Sequence, residues 1–225
     1  MKHLKFLAAV CCMAAVFTAC EKNEPSDNAT GTANGHGYVD LGLPSGTKWA
    51  TCNVGATKPE LYGSYYAWGE TEPKTIYDES TYKWYNGDYD TFTKYNTVDN
   101  KTVLDLEDDA ARANWGGAWR MPTDAEWTEL RENCTWTWTD DYNGTGVKGR
   151  IVTSKTNGNS IFLPAAGNRS SDDLINAGNG GYYWSSSLNT DHPNYVWYVY
   201  FRSDNVGRND GSRYYGCSVR PVLGE

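Results

Sequence analysis

The residues of this 225-residue chain whose types could do covalent or metal chemistry are six cysteines, three histidines and one dense acidic run. Cys11, Cys12 and Cys20 fall in the first 20 residues, which leaves Cys52, Cys134 and Cys217 for a folded domain. His3 and His36 lie near the N-terminus and His192 far along the chain, so no Cys/His cluster has zinc-ligand spacing. Nucleophilic catalysis needs a serine or cysteine beside a base, and His192 is the one histidine in a segment that reads as ordered. Asp105, Glu107, Asp108 and Asp109 offer hard oxygen ligands of the kind calcium takes. A helix N-terminal turn, where carboxylates are favoured by the helix dipole, explains the same run. Gly144-Thr145-Gly146-Val147-Lys148-Gly149 spells a dinucleotide fingerprint, but it lies between strand candidates and opens no helix, which makes it a hairpin. No carboxylate pair stands out. The chain is not expected to be an enzyme, and no cofactor is expected beyond the weak calcium candidate.

The residue types that remain are suited to binding. Within Gly181 to Val222, the run Tyr195-Val196-Trp197-Tyr198-Val199-Tyr200-Phe201-Arg202 reads as a strand. Alternate side chains point to opposite sides, so Trp197, Val199 and Phe201 form an apolar row that wants a core. Tyr198, Tyr200 and Arg202 form the other row, and tyrosine and arginine dominate binding hot spots. A polar, glycine-bearing loop, Ser203 to Ser212, is expected next, then a second short strand, Arg213 to Val222, that pairs back. The pattern alone fits equally a binding face and a sheet edge whose tyrosines cap the surface.

The elements that must position this stretch read as strands, then helices, then strands, which indicates α+β. Tyr38 to Pro44 and Lys48 to Val54 flank a Pro-Ser-Gly turn. A long polar-aromatic loop follows from Glu70 to Asn100, and Leu104 to Arg112 can hold a short helix. Thr123 and Glu126 form a capping box that opens a helix over Ala125 to Asn133. Cys134 to Thr139, Val147 to Ser154 and Ser160 to Pro164 are strand candidates. The cysteine count is odd, so one pair and a free thiol are expected, with Cys52 and Cys134 as the pair.

Residues 1–19 carry Lys2 and Lys5, then an apolar run from Phe6 to Phe17, too short to span a bilayer and typical of a secretory signal. Cys20 after Thr18-Ala19 resembles a bacterial lipobox, with Phe17 standing where leucine is usual. Acylation there would anchor the chain by lipid. Residues 20–37 are polar and read as a flexible tether, and residues 38–225 as one domain. Loss of Lys2 and Lys5 with the signal takes the formal charge from −8 to −10, which argues against nucleic acid or an anionic membrane surface as a partner.

Trp119-Arg120-Met121-Pro122-Thr123-Asp124-Ala125-Glu126-Trp127, Tyr183-Trp184-Ser185-Ser186-Ser187 and Ser218-Val219-Arg220-Pro221-Val222 together resemble a C-type-lectin-like fold. The branch is the one shared by formylglycine-generating enzymes and a large set of Bacteroidetes and Fibrobacter surface paralogues. The resemblance implies irregular antiparallel sheets, about two helices and long loops. It also implies a lipoprotein displayed on the bacterial outer membrane. The enzymes of that branch use two closely placed C-terminal cysteines, and this chain offers only Cys217 there. The sugar-coordinating calcium motifs of C-type lectins do not occur. The final stretch is similar to the variable region of proteins diversified by adenine-mutating retroelements. By that resemblance the ligand-binding positions are His192, Tyr195, Tyr198, Tyr200, Arg202, Gly207, Asp210, Gly211, Ser212 and Tyr215. Trp184, Trp197, Phe201 and Val219 are the expected fixed frame. The implied partner is a protein or glycan on a cell, phage or host surface. A carbohydrate-binding adhesin with the same aromatic content and no diversification is the alternative.

Overall fold

The computed structural model describes residues 28–88 and 91–224. The expected signal, the lipidation site Cys20 and most of the tether lie outside these residues. Among the described residues, fifteen strands and two α-helices are joined by long loops, an α+β arrangement with mostly antiparallel sheets.

β1 (Gly31–Ala33) and β2 (His36–Asp40) form a hairpin through Asn34 and Gly35, both at positive φ. The tether expected as far as Gly37 is therefore shorter, because Thr32 and Gly37 are already paired in a sheet. β2 pairs with β3 (Lys48–Ala50), and β4 (Tyr65–Tyr66) follows. The loop after β4 turns much of its aromatic content inward. Its rings Tyr77, Tyr82, Trp84 and Tyr95 are buried in the larger of two hydrophobic clusters.

The acidic run is split by role. Leu106–Asp108 is a 3-10 turn, and Asp109 caps α1 (Ala110–Trp115) by accepting from the amides of Ala111 and Arg112. After β5 (Trp119–Arg120), α2 (Asp124–Asn133) opens on Thr123, and both hydrogen bonds of the expected capping box are present. Trp127 and Leu130 are its fully buried side chains. β6 (Cys134–Thr139), β7 (Gly149–Ser154) and β8 (Ser160–Pro164) form an antiparallel sheet. The Gly144-to-Gly149 motif ends the β6–β7 hairpin connection and opens β7, with Gly144 and Gly146 at positive φ.

β9 (Asn168–Ser170) and β10 (Asp173–Ile175) make a small hairpin. Then come β11 (Gly181–Leu188), β12 (Tyr195–Phe201), β13 (Val206–Ser212), β14 (Cys217–Ser218) and β15 (Val222–Leu223). The loop expected over Ser203 to Ser212 is mostly strand: β13 pairs with all of β12, from Tyr195↔Ser212 to Phe201↔Val206. The strand expected over Arg213 to Val222 does not pair back on β12. Its residues leave the hairpin, add β14 parallel to β11, and place β15 between β3 and β5.

A five-stranded sheet has the order β13-β12-β11-β14-β4 and lies between the two hydrophobic clusters. Val196 on one face joins the first cluster, and Val199 and Phe201 on the other join the second. Cys52, Cys134 and Cys217 are buried free thiols, so the expected Cys52–Cys134 disulfide is not formed. Cys134 belongs to the second cluster, with Val39, Trp127 and Val152, whereas the Cys52 thiol lies 3.5 Å from the Thr51 hydroxyl.

Candidate ligand-binding face

Cross-strand neighbours project from the same side of a sheet, so register assigns each side chain to a face. Tyr182↔Tyr200↔Gly207 and Trp184↔Tyr198↔Asn209 run across β11, β12 and β13 on one face. Tyr182, Tyr198, Tyr200, Arg202, Asn205 and Asn209 line a concavity of about 310 Å³ there. The ring centroids of Tyr182 and Tyr198 are 6.0 Å apart, and those of Tyr198 and Tyr200 are 6.3 Å apart. Trp184, fully buried, braces Tyr198 edge-on at 5.7 Å. Arg202 Nη2 donates to the Tyr182 hydroxyl at 3.4 Å. Burial pushes the Tyr198 phenol up to about 12, so it stays a neutral donor and acceptor at physiological pH.

Two glycines set how the rings lie. A Cβ at Gly207 would stand 2.6 Å from the Tyr200 ring, and one at Gly211 would stand 3.0 Å from the Tyr198 ring. Neither glycine is at positive φ; each is small because a ring leans over it. Tyr215 borders the same patch, 3.8 Å from that Gly211 position.

The rim is held from beneath. Arg150, buried, donates through Nε and Nη2 to the Arg202 carbonyl (3.1 and 2.6 Å) and through Nη2 to the Ser203 carbonyl (3.1 Å). Its Nη1 reaches the Trp136 carbonyl at 2.7 Å, tying the 202–205 turn to β6. Arg213, fully buried, donates to the carbonyls of Lys94, Tyr95 and Pro193 and so pins the loop before β12.

Of the ten expected positions, the structure brings Tyr198, Tyr200, Arg202, Gly207 and Gly211 together, with Tyr215 at their border. Tyr195, Asp210 and Ser212 fall on the reverse face by register. Asp210 accepts from Asn189 Nδ2 at 2.7 Å, which steadies the loop carrying the exposed His192. Trp197 departs from the buried row expected with Val199 and Phe201. It is half-buried, because at this end of β12 the core on that face has run out. The Arg208 guanidinium covers its ring at 3.3 Å and is itself held by Asp124 at 2.7 Å. Trp184, Phe201 and Val219 are fully buried. Tyr182, Asn205 and Asn209 were missed. Tyr182 was detectable, since it alternates with buried Tyr183 and shares its face with Trp184. The asparagines were not, because they lie in a segment that reads as loop.

The calcium candidate holds a different cation. Asp105, Glu107 and Asp108 place carboxylate oxygens within 4.8 Å of one another. The Lys94 ammonium sits among them at 2.8, 3.1 and 2.5 Å, and Lys83 adds a contact to Asp108 at 2.8 Å. Desolvation works against the Lys94 charge, but hydrogen bonds to Asp105, Asp108 and Glu107 outweigh it and hold its pKa above the usual lysine range. Cys217 is buried, and desolvation pushes its thiol well above the usual value, away from the thiolate a nucleophile needs.

Comparison with protein-family models, with curated proteins and with solved structures finds no match.

Proposed function

We propose that this chain is a ligand-binding protein displayed on a bacterial outer membrane through a lipid on Cys20, with the β11–β13 face as its binding surface. One observation carries the reading: three tyrosines, an arginine and two asparagines converge on one concavity of about 310 Å³. Aromatic anchors with adaptable polar neighbours are the composition of a paratope. The volume lies at the lower end of the range for small-ligand sites. Antiparallel sheets, two helices and long loops are compatible with a C-type-lectin-like scaffold. Five of the positions assigned to retroelement diversification share this face, which supports a selected surface built on a fixed frame. Its ligand is a protein or glycan on a cell, phage or host surface.

The test is a Tyr198→Ala/Tyr200→Ala double variant of the full chain, compared with wild type on a glycan array and on whole cells. Binding should be lost while the chain stays folded, as its circular dichroism reports; retained binding moves the site elsewhere. Sequencing the DNA around the gene separates the two forms of the proposal. A near-copy of the 3′ end differing at adenines, beside a reverse transcriptase, supports diversification. Its absence favours a non-diversified carbohydrate-binding adhesin, a reading the tyrosine-lined concavity also supports.

A further inference from the structure

A second concavity, of about 480 Å³, lies at the other edge of the same sheet. Its walls include Ser64, Tyr65, Lys74, Tyr77, Arg169 and Asp172. β4 is three strand positions from β12, about 14 Å at the usual strand spacing, so this cleft is separate from the tyrosine face.

The floor is rigid and chemically spent. The Tyr65 hydroxyl donates to the Ala166 carbonyl at 2.5 Å, and the Tyr77 hydroxyl to the Tyr65 carbonyl at 2.6 Å. Arg169 is fixed at its backbone, where its amide donates to the Gly216 carbonyl at 2.7 Å and its carbonyl accepts from the Gly216 amide at 3.0 Å. Gly216 is required for that approach, since a Cβ there would lie 2.7 Å from the Tyr77 ring and 3.0 Å from Arg169 Cβ. The half-buried Arg169 side chain carries its guanidinium 5.4 Å from the centre of the Tyr65 ring.

Arg169 differs from the other anchored arginines in what its fork does. Arg150, Arg213 and Arg220 spend theirs on backbone carbonyls, and Arg120 and Arg208 on carboxylates. Arg169 makes one long hydrogen bond, 3.4 Å to the Asp172 carbonyl, and no ion pair with any described residue. A guanidinium has five donors in a fixed plane. Here most of them are unused in a chain of net charge −8. Lys74 adds no free charge, because Glu70 holds its ammonium at 2.9 Å. The remaining charged wall is Asp172, an exposed acceptor.

From this we infer that the cleft binds a polyhydroxylated monocarboxylate of the uronic-acid type, its carboxylate on the Arg169 fork and its hydroxyls donating to Asp172. Asp172 disfavours a bare dianion, which offers it charge repulsion and no donors. A neutral sugar leaves Arg169 unpaired.

The experiment is calorimetric titration of the full chain with glucuronate, with glucose and inorganic phosphate as comparison probes. Glucuronate should bind saturably and more tightly than either comparison probe. Arg169→Gln should weaken it at least tenfold, Arg169→Lys less, and Asp172→Asn should weaken glucuronate relative to phosphate. The Tyr198→Ala/Tyr200→Ala variant should bind glucuronate as wild type does, which keeps this test independent of the tyrosine face. Equal binding by wild type and Arg169→Gln overturns the proposal, as does the absence of saturation. Phosphate bound as tightly as glucuronate overturns the polyol assignment, and loss of glucuronate binding in the tyrosine variant overturns the location.

Discussion

Replacing Arg150 by methionine should destabilise the fold by about 2 kcal/mol and loosen one end of the tyrosine face. A hydrogen bond from a charged donor contributes about 1.5–3 kcal/mol. Arg150 makes two short ones, 2.7 Å to Trp136 and 2.6 Å to Arg202, and longer ones to Ser203 and Asn205. The gross loss is therefore roughly 3–6 kcal/mol. Two effects reduce it. Burial lowers the Arg150 pKa, a sign that holding the charge there is itself costly. The carbonyls of Arg202 and Ser203 belong to exposed residues and can rehydrate once the guanidinium is gone. Methionine keeps much of the aliphatic stem, so the change reports the fork rather than a cavity. For a domain of this size about 2 kcal/mol lowers the thermal midpoint by roughly 4–8 °C. Urea unfolding gives the energy, and amide exchange at Arg202, whose N–H donates to the Asn205 carbonyl at 2.9 Å, gives the location. Arg150→Lys should recover only part, since one ammonium cannot span Trp136 and the turn. A methionine variant within about 0.5 kcal/mol of wild type, with the Arg202 amide equally protected, would refute the pinning role.

Calcium should leave the wild-type unfolding midpoint unchanged but raise that of Lys94→Met, in which Asp105, Glu107 and Asp108 lose their shared ammonium and can take a hard cation. Thermal scans with millimolar calcium and with chelator check both halves. Acid should erase the contribution of Glu126, whose carboxylate takes a two-pronged bond from Arg120 at 2.7 and 2.8 Å and one from the Thr123 amide at 2.8 Å. Burial opposes its charge, but Arg120 and Thr123 outweigh burial and hold its pKa below the usual glutamate range. A depressed folded pKa gives stability that is fully present above the unfolded value, about 4.3, and lost as pH falls through the folded one. Glu126→Gln should therefore be less stable by about 1 kcal/mol at neutral pH, the difference between a charged and a neutral hydrogen bond. The gap to wild type should close in acid, as urea midpoints at both pH values will record.

What the sequence disclosed followed from how locally each feature is encoded. The capping box of α2 is four residues long and carries its own hydrogen bonds, so it could be read before any packing was known. β6 and β8 match their expected bounds because alternating tryptophans and a short apolar run need no distant partner to be recognised. β13 was hidden because Val206-Gly207-Arg208-Asn209-Asp210-Gly211-Ser212 has little intrinsic strand preference and is extended by its pairing with β12. Trp197 was misplaced for a related reason. Period-2 alternation names two faces, but it does not say that the core moves from one face to the other along β12. The site divided the same way: the Tyr198 and Tyr200 row was readable, whereas Asn205 and Asn209 lie in a segment with no strand pattern and the arginines beneath the turns reach residues more than ten positions away. Buried arginines aimed at carbonyls leave no local pattern.

The glycines under the tyrosine rings give this surface two separate controls. Tyr200 and Tyr198 supply the chemistry, but the angle at which each ring meets a ligand is set on the adjacent strand, at Gly207 and Gly211. A larger residue at either glycine would force its ring to shift, since a Cβ would stand 2.6 Å from the Tyr200 ring or 3.0 Å from the Tyr198 ring. Recognition is thus tuned from positions beneath the rings as well as by the rings themselves, while the tyrosines stay unchanged.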